Sequence, residues 1–458
     1  MEGILSKIRK IHLVGVGGVG MSALARLLRS KGFIVSGSDI KESYYFRKIK
    51  TEGIKVFLGH KKENIEGADL VCVSSAVRED NVELREAKRK GLPVLGRGEL
   101  LAFLAQEKKT VAISGAHGKT TTTALLAFLL NSLGYNPSVF IGGETFNYSH
   151  SSWWGGNYFI VEADESDGSF LKLSPEVAII TNVDREHLDF YKKEEDIYRN
   201  FLEFAFSAKR LTIGWGDSPQ LRKILRSVKS ISYGFSKNNE IRAENIFLTP
   251  QGSIFDLVMG EKRYSQVFIS LLGEHNILNA LAVLAFFYYL NENIEKALVK
   301  LGDFRSTKRR FQIKENFRGI LFVDDYAHHP TEIRMTLATA KIFNPQRLVV
   351  IFEPHRFSRI RFLYNDFMDC FSLADVLIVT DIYSAWEEKP STFDERIFFE
   401  DLKNSFKKEF YCFPKKEICK NVISLLKEGD LLIALGAGEV NLILDEIIRE
   451  FKRLRSKI

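Results

Sequence analysis

Between Ile11 and Val16 the chain is mostly apolar and then breaks into glycines, after which Met21 to Arg29 carries apolar residues at helical spacing. A second apolar run, Ile34 to Gly37, ends in Ser38-Asp39. Strand, helix, strand is what that order predicts. Further strands are expected at Leu70 to Ser74 and at Leu92 to Leu95, ahead of Arg97, so the first α/β unit runs to about residue 106. The alternation then restarts. Thr110 to Ser114 reads as a strand, Gly115 to Gly118 as a loop and Thr120 to Leu133 as a long helix, with strands at Tyr158 to Glu162 and Val177 to Asn182. A restart with its own glycine loop points to a second domain. After a helix expected over Asn279 to Leu290, the segment Lys300 to Gln312 is charged and lacks apolar periodicity, which suits a linker. A third unit is expected from the strands Ile320 to Val323, Arg347 to Phe352, Val376 to Thr380 and Leu431 to Leu435, followed by Asp324-Asp325, Glu353-Pro354-His355 and, for the last, Gly436. Open α/β sheets bind ligands at those strand ends.

Composition narrows the class. At 458 residues, 45% of them hydrophobic and 27% charged, the chain is too long for one core and has the make-up of a soluble globular protein rather than a disordered, fibrous or disulfide-stapled one. Its net charge of +7 comes from 65 basic and 58 acidic residues scattered among one another. The denser basic runs, Lys61-Lys62, Lys108-Lys109 and Arg449 to Lys457, hold one aromatic, Phe451, so nucleic-acid binding is not expected. A mild positive bias suits polyanionic substrates. Cys72, Cys370, Cys412 and Cys419 form no CxxC pair and read as reduced thiols. Without an apolar stretch of ~18 residues or a small-residue cleavage site after the N-terminal segment, a cytoplasmic protein with no membrane partner is expected.

Two glycine loops carry the chemistry. In Gly15-Val16-Gly17-Gly18-Val19-Gly20, backbone N–H groups at a helix N-terminus can approach a pyrophosphate, and Asp39, ~20 residues on, stands where a ribose hydroxyl would be. Taken alone, a nicotinamide dehydrogenase or a structural glycine turn explains that loop as well. Ser114-Gly115-Ala116-His117-Gly118-Lys119-Thr120-Thr121 is more specific: the loop wraps phosphate oxygens, Lys119 neutralises β/γ charge and Thr120 offers a hydroxyl to magnesium, although Ile113 replaces the usual first glycine. A dehydrogenase has no use for Lys119, and a P-loop switch protein has none for the first loop. The acids Glu162 to Asp167 and the segment Asn182 to His187 offer oxygens and an imidazole suited to magnesium, or form solvated loops.

In order and spacing, GVGGVGMS at Gly15 to Ser22, SSAVREDN at Ser74 to Asn81, GAHGKTTTT at Gly115 to Thr123, EADESDGSF at Glu162 to Phe170, TNVDREHLDFY at Thr181 to Tyr191, GEHNILNALA at Gly273 to Ala282, RRFQ at Arg309 to Gln312, DDYAHHPTEI at Asp324 to Ile333, PHRFSRIR at Pro354 to Arg361 and GAGEV at Gly436 to Val440 resemble the Mur ligases. The resemblance spans nearly the whole chain. It implies three domains: a Rossmann-like UDP-sugar domain at 1–107, a P-loop ATPase domain with a mostly parallel sheet at 108–308, and a Rossmann-like α/β closing domain at 309–458. It implies ATP and Mg2+ as cofactors, and an amide bond made through an acyl phosphate, with ADP and phosphate released, in peptidoglycan precursor synthesis. GGVGMS with PHRFSR points to the member whose small-molecule substrates are UDP-N-acetylmuramate and L-alanine, rather than those adding a tripeptide to that sugar or glutamate to folate. A monomer or weak homodimer is expected.

Residue by residue, the resemblance puts Gly15, Gly17, Gly18, Gly20, Met21, Ser22, Asp39, Ser74 and Ser75 at the UDP-sugar, and Gly115, Ala116, His117, Gly118, Lys119, Thr120 and Thr121 at the ATP phosphates. Thr120, Glu165 and His187 would hold the metal, with Lys119, Glu165 and His187 catalytic. Asn276 and Asn279 would face adenine, Arg310, Asp325 and His328 would meet the nucleotide from the closing domain, and His355, Arg356 and Arg359 would flank the amino acid. His275, His328 and His329 could equally be turn residues, and Arg356 and Arg359 surface ion-pair partners. One departure stands out: Ala385-Trp386-Glu387 replaces the family's Ala-Gly-Glu. No carbamylated lysine is expected.

Overall fold

The structure, a computed structural model, describes residues 7–187, 190–191, 193–292, 294–385 and 387–455. Its strands fall into three sheets. The first comprises β1 (Lys10–Val14), β2 (Ile34–Asp39), β3 (Lys55–Leu58), β4 (Leu70–Val73) and β5 (Val94–Gly96), all parallel in the order β3-β2-β1-β4-β5. β1 is buried on both faces after its first residue, so Leu13 and Val14 are apolar in succession and even His12 is buried. It stops at Val14, two residues before its expected end, because Gly15 turns at φ +83° and donates its N–H to the Ser38 carbonyl. The strand order reverses at β1, so the loop after β1 opens into the crevice where such sheets bind ligands. Helix α1 (Val19–Lys31) starts from that loop and ends at Gly32, whose left-handed φ of +105° lets its N–H close onto the Arg29 carbonyl. The half-exposed β3 was not anticipated.

The second sheet has ten strands: β6 (Lys109–Ser114), β7 (Ser138–Phe140), β8 (Ser152–Trp153), β9 (Tyr158–Glu162), β10 (Val177–Ile180), β11 (Leu211–Trp215), β12 (Ser230–Gly234), β13 (Ile241–Thr249), β14 (Gly252–Met259) and β15 (Lys262–Ile269). It is mostly parallel, with β13-β14-β15 added as an antiparallel meander at one edge. β6 lies between β10 and β9, with Ser114 paired to Ile180 and Ile113 to Glu162. That register brings the ends of all three strands together around the loop that starts helix α2 (Lys119–Ser132). Helix α3 (Glu274–Leu290) packs against α2 and is buried along its length from Asn276 to Phe287 apart from Leu278. It begins five residues before the expected Asn279, with Gly273 as its cap at φ +84°.

The third sheet runs β16 (Gln312–Phe317), β17 (Ile320–Asp325), β21 (Asp430–Leu435), β18 (Arg347–Phe352), β19 (Val376–Val379), β20 (Glu409–Cys412), parallel except for β16. Helix α4 (Pro330–Lys341) follows β17, and the short helix α5 (Phe357–Phe362) follows β18. The linker is shorter than expected: Lys300 and Leu301 finish a helix, and Gln312 already pairs in β16.

The three units are not joined alike. One apolar cluster includes Ile11 and Leu24 beside the first sheet as well as Ala112, Phe159 and Phe201 beside the second. The buried core of the third unit is made of that unit's residues, with the half-buried Leu272 of the second unit packed against it. Where the third unit meets the second, charged contacts include Arg185 to Asp366 and Arg359 to Glu186. Such an interface separates without exposing a large apolar surface, so movement of the third unit is the expectation.

Candidate active site

The loop after β6 is held from both sides. The His117 N–H donates to Asn182 Oδ1 at 2.8 Å, and the Thr181 hydroxyl donates to the His117 carbonyl at 2.6 Å. Gly115 and Gly118 are obligatory: a Cβ would lie 2.1 Å from Thr181 Oγ1 in the first and 2.4 Å from Asn279 Oδ1 in the second, at φ +137° and +82°. Lys119 folds back over the loop, its Nζ donating to the Gly115 carbonyl at 2.6 Å and to Glu165 Oε1 at 2.8 Å. Burial works against its charge, but Glu165, Asp164 and Glu162 outweigh that and raise its pKa.

Glu162 and Glu165 differ in a way that bears on magnesium. Both Glu162 oxygens are engaged, Oε1 by the Thr120 hydroxyl at 2.8 Å and Oε2 by the Gly142 N–H at 2.7 Å, and burial raises its pKa. Glu165 is 2% exposed, and the described residues offer its buried Oε2 no hydrogen-bond partner. His187 Nε2 stands 3.6 Å from the other oxygen. A buried acceptor with an empty coordination direction, beside an imidazole and the Thr120 end of α2, fits a hard divalent cation.

His117, Asp184 and His329 also place metal-ligating atoms within 4.8 Å of one another. Hydrogen bonds already account for them. His117 Nε2 is 3.0 Å from Asp184 and its Nδ1 3.3 Å from Glu332, Asp184 accepts from the Thr331 hydroxyl at 2.8 Å, and His329 Nδ1 accepts the Thr331 N–H. Burial opposes charge on His117, yet the two carboxylates prevail and raise its pKa to about 9. Asp184 belongs to the second unit and Glu332 to the third, so a protonated His117 clamps one to the other.

Between α3 and α4 lies a cavity of about 340 Å³, lined by His117, Gly118, Thr121, Asn276, Asn279, Arg310 and Asp325 among the expected nucleotide residues. Trp215, Tyr233 and Met335, which no motif marked, add its apolar walls. Burial lifts Asp325 to about 6 and lowers His275 to about 4. His328 does not line this cavity. It lies against His355, ring centroids 5.3 Å apart, with Nδ1 on the Tyr326 carbonyl, and burial drives it down to about 3. It is thus placed with His355, one of the residues that the resemblance puts at the amino acid, rather than among those lining this cavity.

At the first loop, Asp39 accepts the Gly17 N–H at 2.8 Å and so braces the turn. Ser74 packs behind Gly15, whose Cβ would lie 2.9 Å from Ser74 Cβ, while Ser75 is exposed. Met21 and Ser22 are placed differently from the glycines of this loop. Met21 has its side chain in the core, leaving only its first-turn N–H for a ligand; Ser22 is wholly buried, its N–H on Gly18 and its hydroxyl on the Val19 carbonyl. Arg97, unmarked by any motif, crosses from this unit to Asp164 at 2.9 Å and Asp167 at 3.2 Å, lying where a Cβ on Gly20 would reach.

A second, far smaller cavity of about 20 Å³ lies between Glu186 and His187 on one side and Arg356, Arg359, Phe362 and Leu363 on the other. His187 and Arg356 both hold left-handed backbone conformations, φ +56° and +66°, a kind of strain that clusters at functional sites. Arg359 grips Glu186 through Nε and Nη2 at 3.3 and 3.1 Å, and its Nη1 lies 2.7 Å from His355 Nδ1. Arg356 has a longer contact, 3.9 Å to Glu387. Trp386, the departure noted above, lies outside the described residues.

Known proteins share this arrangement from end to end. Residues 10–109 match the description "Mur ligase family, catalytic domain", 113–287 "Mur ligase middle domain", and 309–438 "Mur ligase, glutamate ligase domain". A UDP-N-acetylmuramate–L-alanine ligase of Carboxydothermus hydrogenoformans is 40% identical over 445 residues, 95% of this chain and 96% of its own. One of Dictyoglomus turgidum is 40% identical over 446 residues, 94% and 95%. The crystal structure of the UDP-N-acetylmuramate-alanine ligase of Thermotoga maritima superposes with a TM-score of 0.83 at 31% identity, covering 97% of this chain and 99% of that one. With three consecutive domain matches and full-length relatives at this identity, the chain belongs to the Mur ligase family.

Proposed function

We propose that this chain is an ATP-dependent ligase that joins L-alanine to UDP-N-acetylmuramate in peptidoglycan precursor synthesis. The observation that carries the reading is full-length kinship, at 40% identity, with enzymes that bear that activity in their names. The division at residues 107/108 and 308/309 is supported by the three sheets. The sugar nucleotide would lie on the backbone of Gly15 to Gly20, and ATP in the 340 Å³ cavity with its phosphates on Gly115 to Thr121. Lys119 would then exchange Glu165 and the loop carbonyls for phosphoryl oxygens, stabilising the charge that builds up as the sugar's carboxylate attacks the γ-phosphorus. Thr120, Glu165 and His187 would hold magnesium, which would supply further neutralisation of the phosphates; the unpartnered Glu165 oxygen supports that residue over Glu162. The acyl phosphate so formed is attacked by the alanine amine, and phosphate leaves.

His355, Arg356 and Arg359 would frame the amino acid. Since Arg359 and Glu186 are bonded to each other, the leading partner for its carboxylate would be Arg356. ATP and UDP-sugars are cytoplasmic metabolites, which supports that location, and no described helix is long and apolar enough to cross a membrane. A monomer or weak homodimer is proposed. The test is phosphate release from ATP with UDP-N-acetylmuramate across a panel of amino acids. Release that depends on both the sugar nucleotide and alanine is expected; release with ATP alone, or with another amino acid in alanine's place, would overturn the reading.

A further inference from the structure

Arg97 opens the helix Arg97–Gln106 that follows β5, yet its side chain leaves the first unit. Its Nη2 donates to Asp164 at 2.9 Å and to Asp167 at 3.2 Å, in the acidic segment of the second unit that carries Glu165. The next two residues make the same crossing. Glu99 accepts from Lys172 Nζ at 2.9 Å, and Gly98 packs so closely on Ser169 that a Cβ would lie 2.5 Å from the serine Cβ. Gly98 and Glu99 thus anchor the segment to the first unit, and Arg97 adds a charge. Burial opposes ionisation of Asp164, and Arg97, then Lys119, hold it ionised nonetheless. One carboxylate therefore answers to two cations, one from each unit.

We infer that Arg97 is a positioning residue by which the first unit serves the phosphate site of the second: by neutralising Asp164 it leaves the Lys119 ammonium available to phosphate. This rests on the proposal that Lys119 belongs to a magnesium–ATP site. Without Arg97, Asp164 keeps Lys119 as its principal remaining counter-charge. An ammonium drawn toward a fixed carboxylate is held back from a ligand, so the loss falls on ATP although Arg97 stands on the other unit. Gly20 gives a second handle on the same guanidinium. It lies in the first turn of α1, where a Cβ would come 2.6 Å from Arg97 Nη1 and 3.4 Å from its Cδ. The backbone there is helical, so alanine suits it and the flexible end of Arg97 is what must move.

The experiment titrates Mg2+ with AMP-PNP, a non-hydrolysable ATP analogue, into wild type, Arg97→Ala, Gly20→Ala, Asp164→Asn and the double variant Arg97→Ala/Asp164→Asn. UDP-N-acetylmuramate affinity and thermal unfolding are measured beside it. Arg97→Ala should raise the Kd of the nucleotide by ~10-fold or more, and Gly20→Ala should raise it by less. Adding Asp164→Asn to Arg97→Ala should bring the Kd back to within ~3-fold of wild type, because the carboxylate that diverts Lys119 has lost its charge. A contact that only joins the units would lower the melting temperature of Arg97→Ala and leave the nucleotide Kd of the folded protein unchanged. A nucleotide Kd for folded Arg97→Ala within ~2-fold of wild type, a loss confined to UDP-N-acetylmuramate, or a double variant no better than Arg97→Ala overturns the inference. Should Arg97→Ala not fold, Gly20→Ala with and without Asp164→Asn decides by the same criteria. A wild type that does not bind AMP-PNP with Mg2+ overturns the underlying reading instead, so the two failures are distinguishable.

Discussion

Arg359→Ala removes a side chain whose Nε and Nη2 both bond to Glu186, a residue of the second unit that is 7% exposed. Breaking a buried ion pair by deleting one partner costs about 3–5 kcal/mol, because the other charge stays behind uncompensated. Here the lower end applies, since Glu186 keeps His187 at 3.5 Å and His329 at 3.7 Å. About 3 kcal/mol is ~150-fold in an equilibrium constant. As Arg359 and Glu186 lie on different units, that loss should fall on docking of the third unit more than on folding of either. The fork that would otherwise grip a carboxylate is occupied by Glu186, which leaves Arg356 as the leading partner of the alanine carboxylate. Arg359→Ala should accordingly lower kcat with alanine and with alaninamide by similar factors, while Arg356→Ala should penalise alanine selectively. Initial rates of phosphate release for Arg359→Ala, Glu186→Gln and the double variant complete the cycle, with a coupling energy of at least ~1.5 kcal/mol expected. Additive single effects, or an Arg359→Ala enzyme that turns over alaninamide normally, would refute the docking role.

Lys119→Ala should lower turnover by several orders of magnitude with UDP-N-acetylmuramate binding retained in calorimetric titration; residual activity above ~10% of wild type, a loss under ~1.4 kcal/mol, would remove the loop from catalysis. Changing Gly17 and Gly18 to Ala should weaken the sugar nucleotide and spare ATP, because a Cβ on Gly17 lies 2.9 Å from Asp39 Oδ2 and one on Gly18 enters the open space over the loop; loss of ATP binding instead would reverse the assignment of the two loops. The raised pKa of His117, about 9 against 6.5, means that its contribution to docking is complete below about pH 6.5 and is lost as pH rises through about 9. X-ray scattering should thus show a more open molecule at pH 10 than at pH 7, and Glu332→Gln should move that opening to lower pH; superimposable profiles for the two proteins would refute the clamp.

The features legible in the sequence were those where chemistry restricts residue type. Gly15 and Gly118 hold φ values of +83° and +82°, and Gly115 and Gly118 leave no room for a Cβ, so their spacing announced both loops. Several buried parallel strands were legible as apolar runs for the same kind of reason, although β11, buried and parallel to both neighbours, was not anticipated. The meander was not, because an edge strand such as β15, with Lys262, Arg263 and Gln266 outward, has the composition of a loop. The start of α3 was placed late since Glu274, His275 and Asn276 look like a polar turn, although Gly273 caps the helix. Ser22 could have been excluded by helical phase: it falls in the second turn of α1, its N–H already bonded to Gly18 and its hydroxyl to Val19.

What no local pattern carries is the contact between units. Asp184 and Thr331 are 147 residues apart, and the partners of His117 are a carboxylate at the end of β10 and another on α4. Nor can a motif show which wall a side chain faces, as His328 demonstrates beside Asp325. These unread contacts are polar throughout, in contrast to the apolar seam between the first two units, and that difference has a functional consequence. A ligase that forms an acyl phosphate must exclude water while it exists and then release ADP and product. A charged interface with its ion pairs at Glu186 and Glu332, each beside a cavity proposed above for a substrate, would let the ligands themselves alter the docking equilibrium, because a phosphate or carboxylate entering either cavity would compete for the same arginines and histidine.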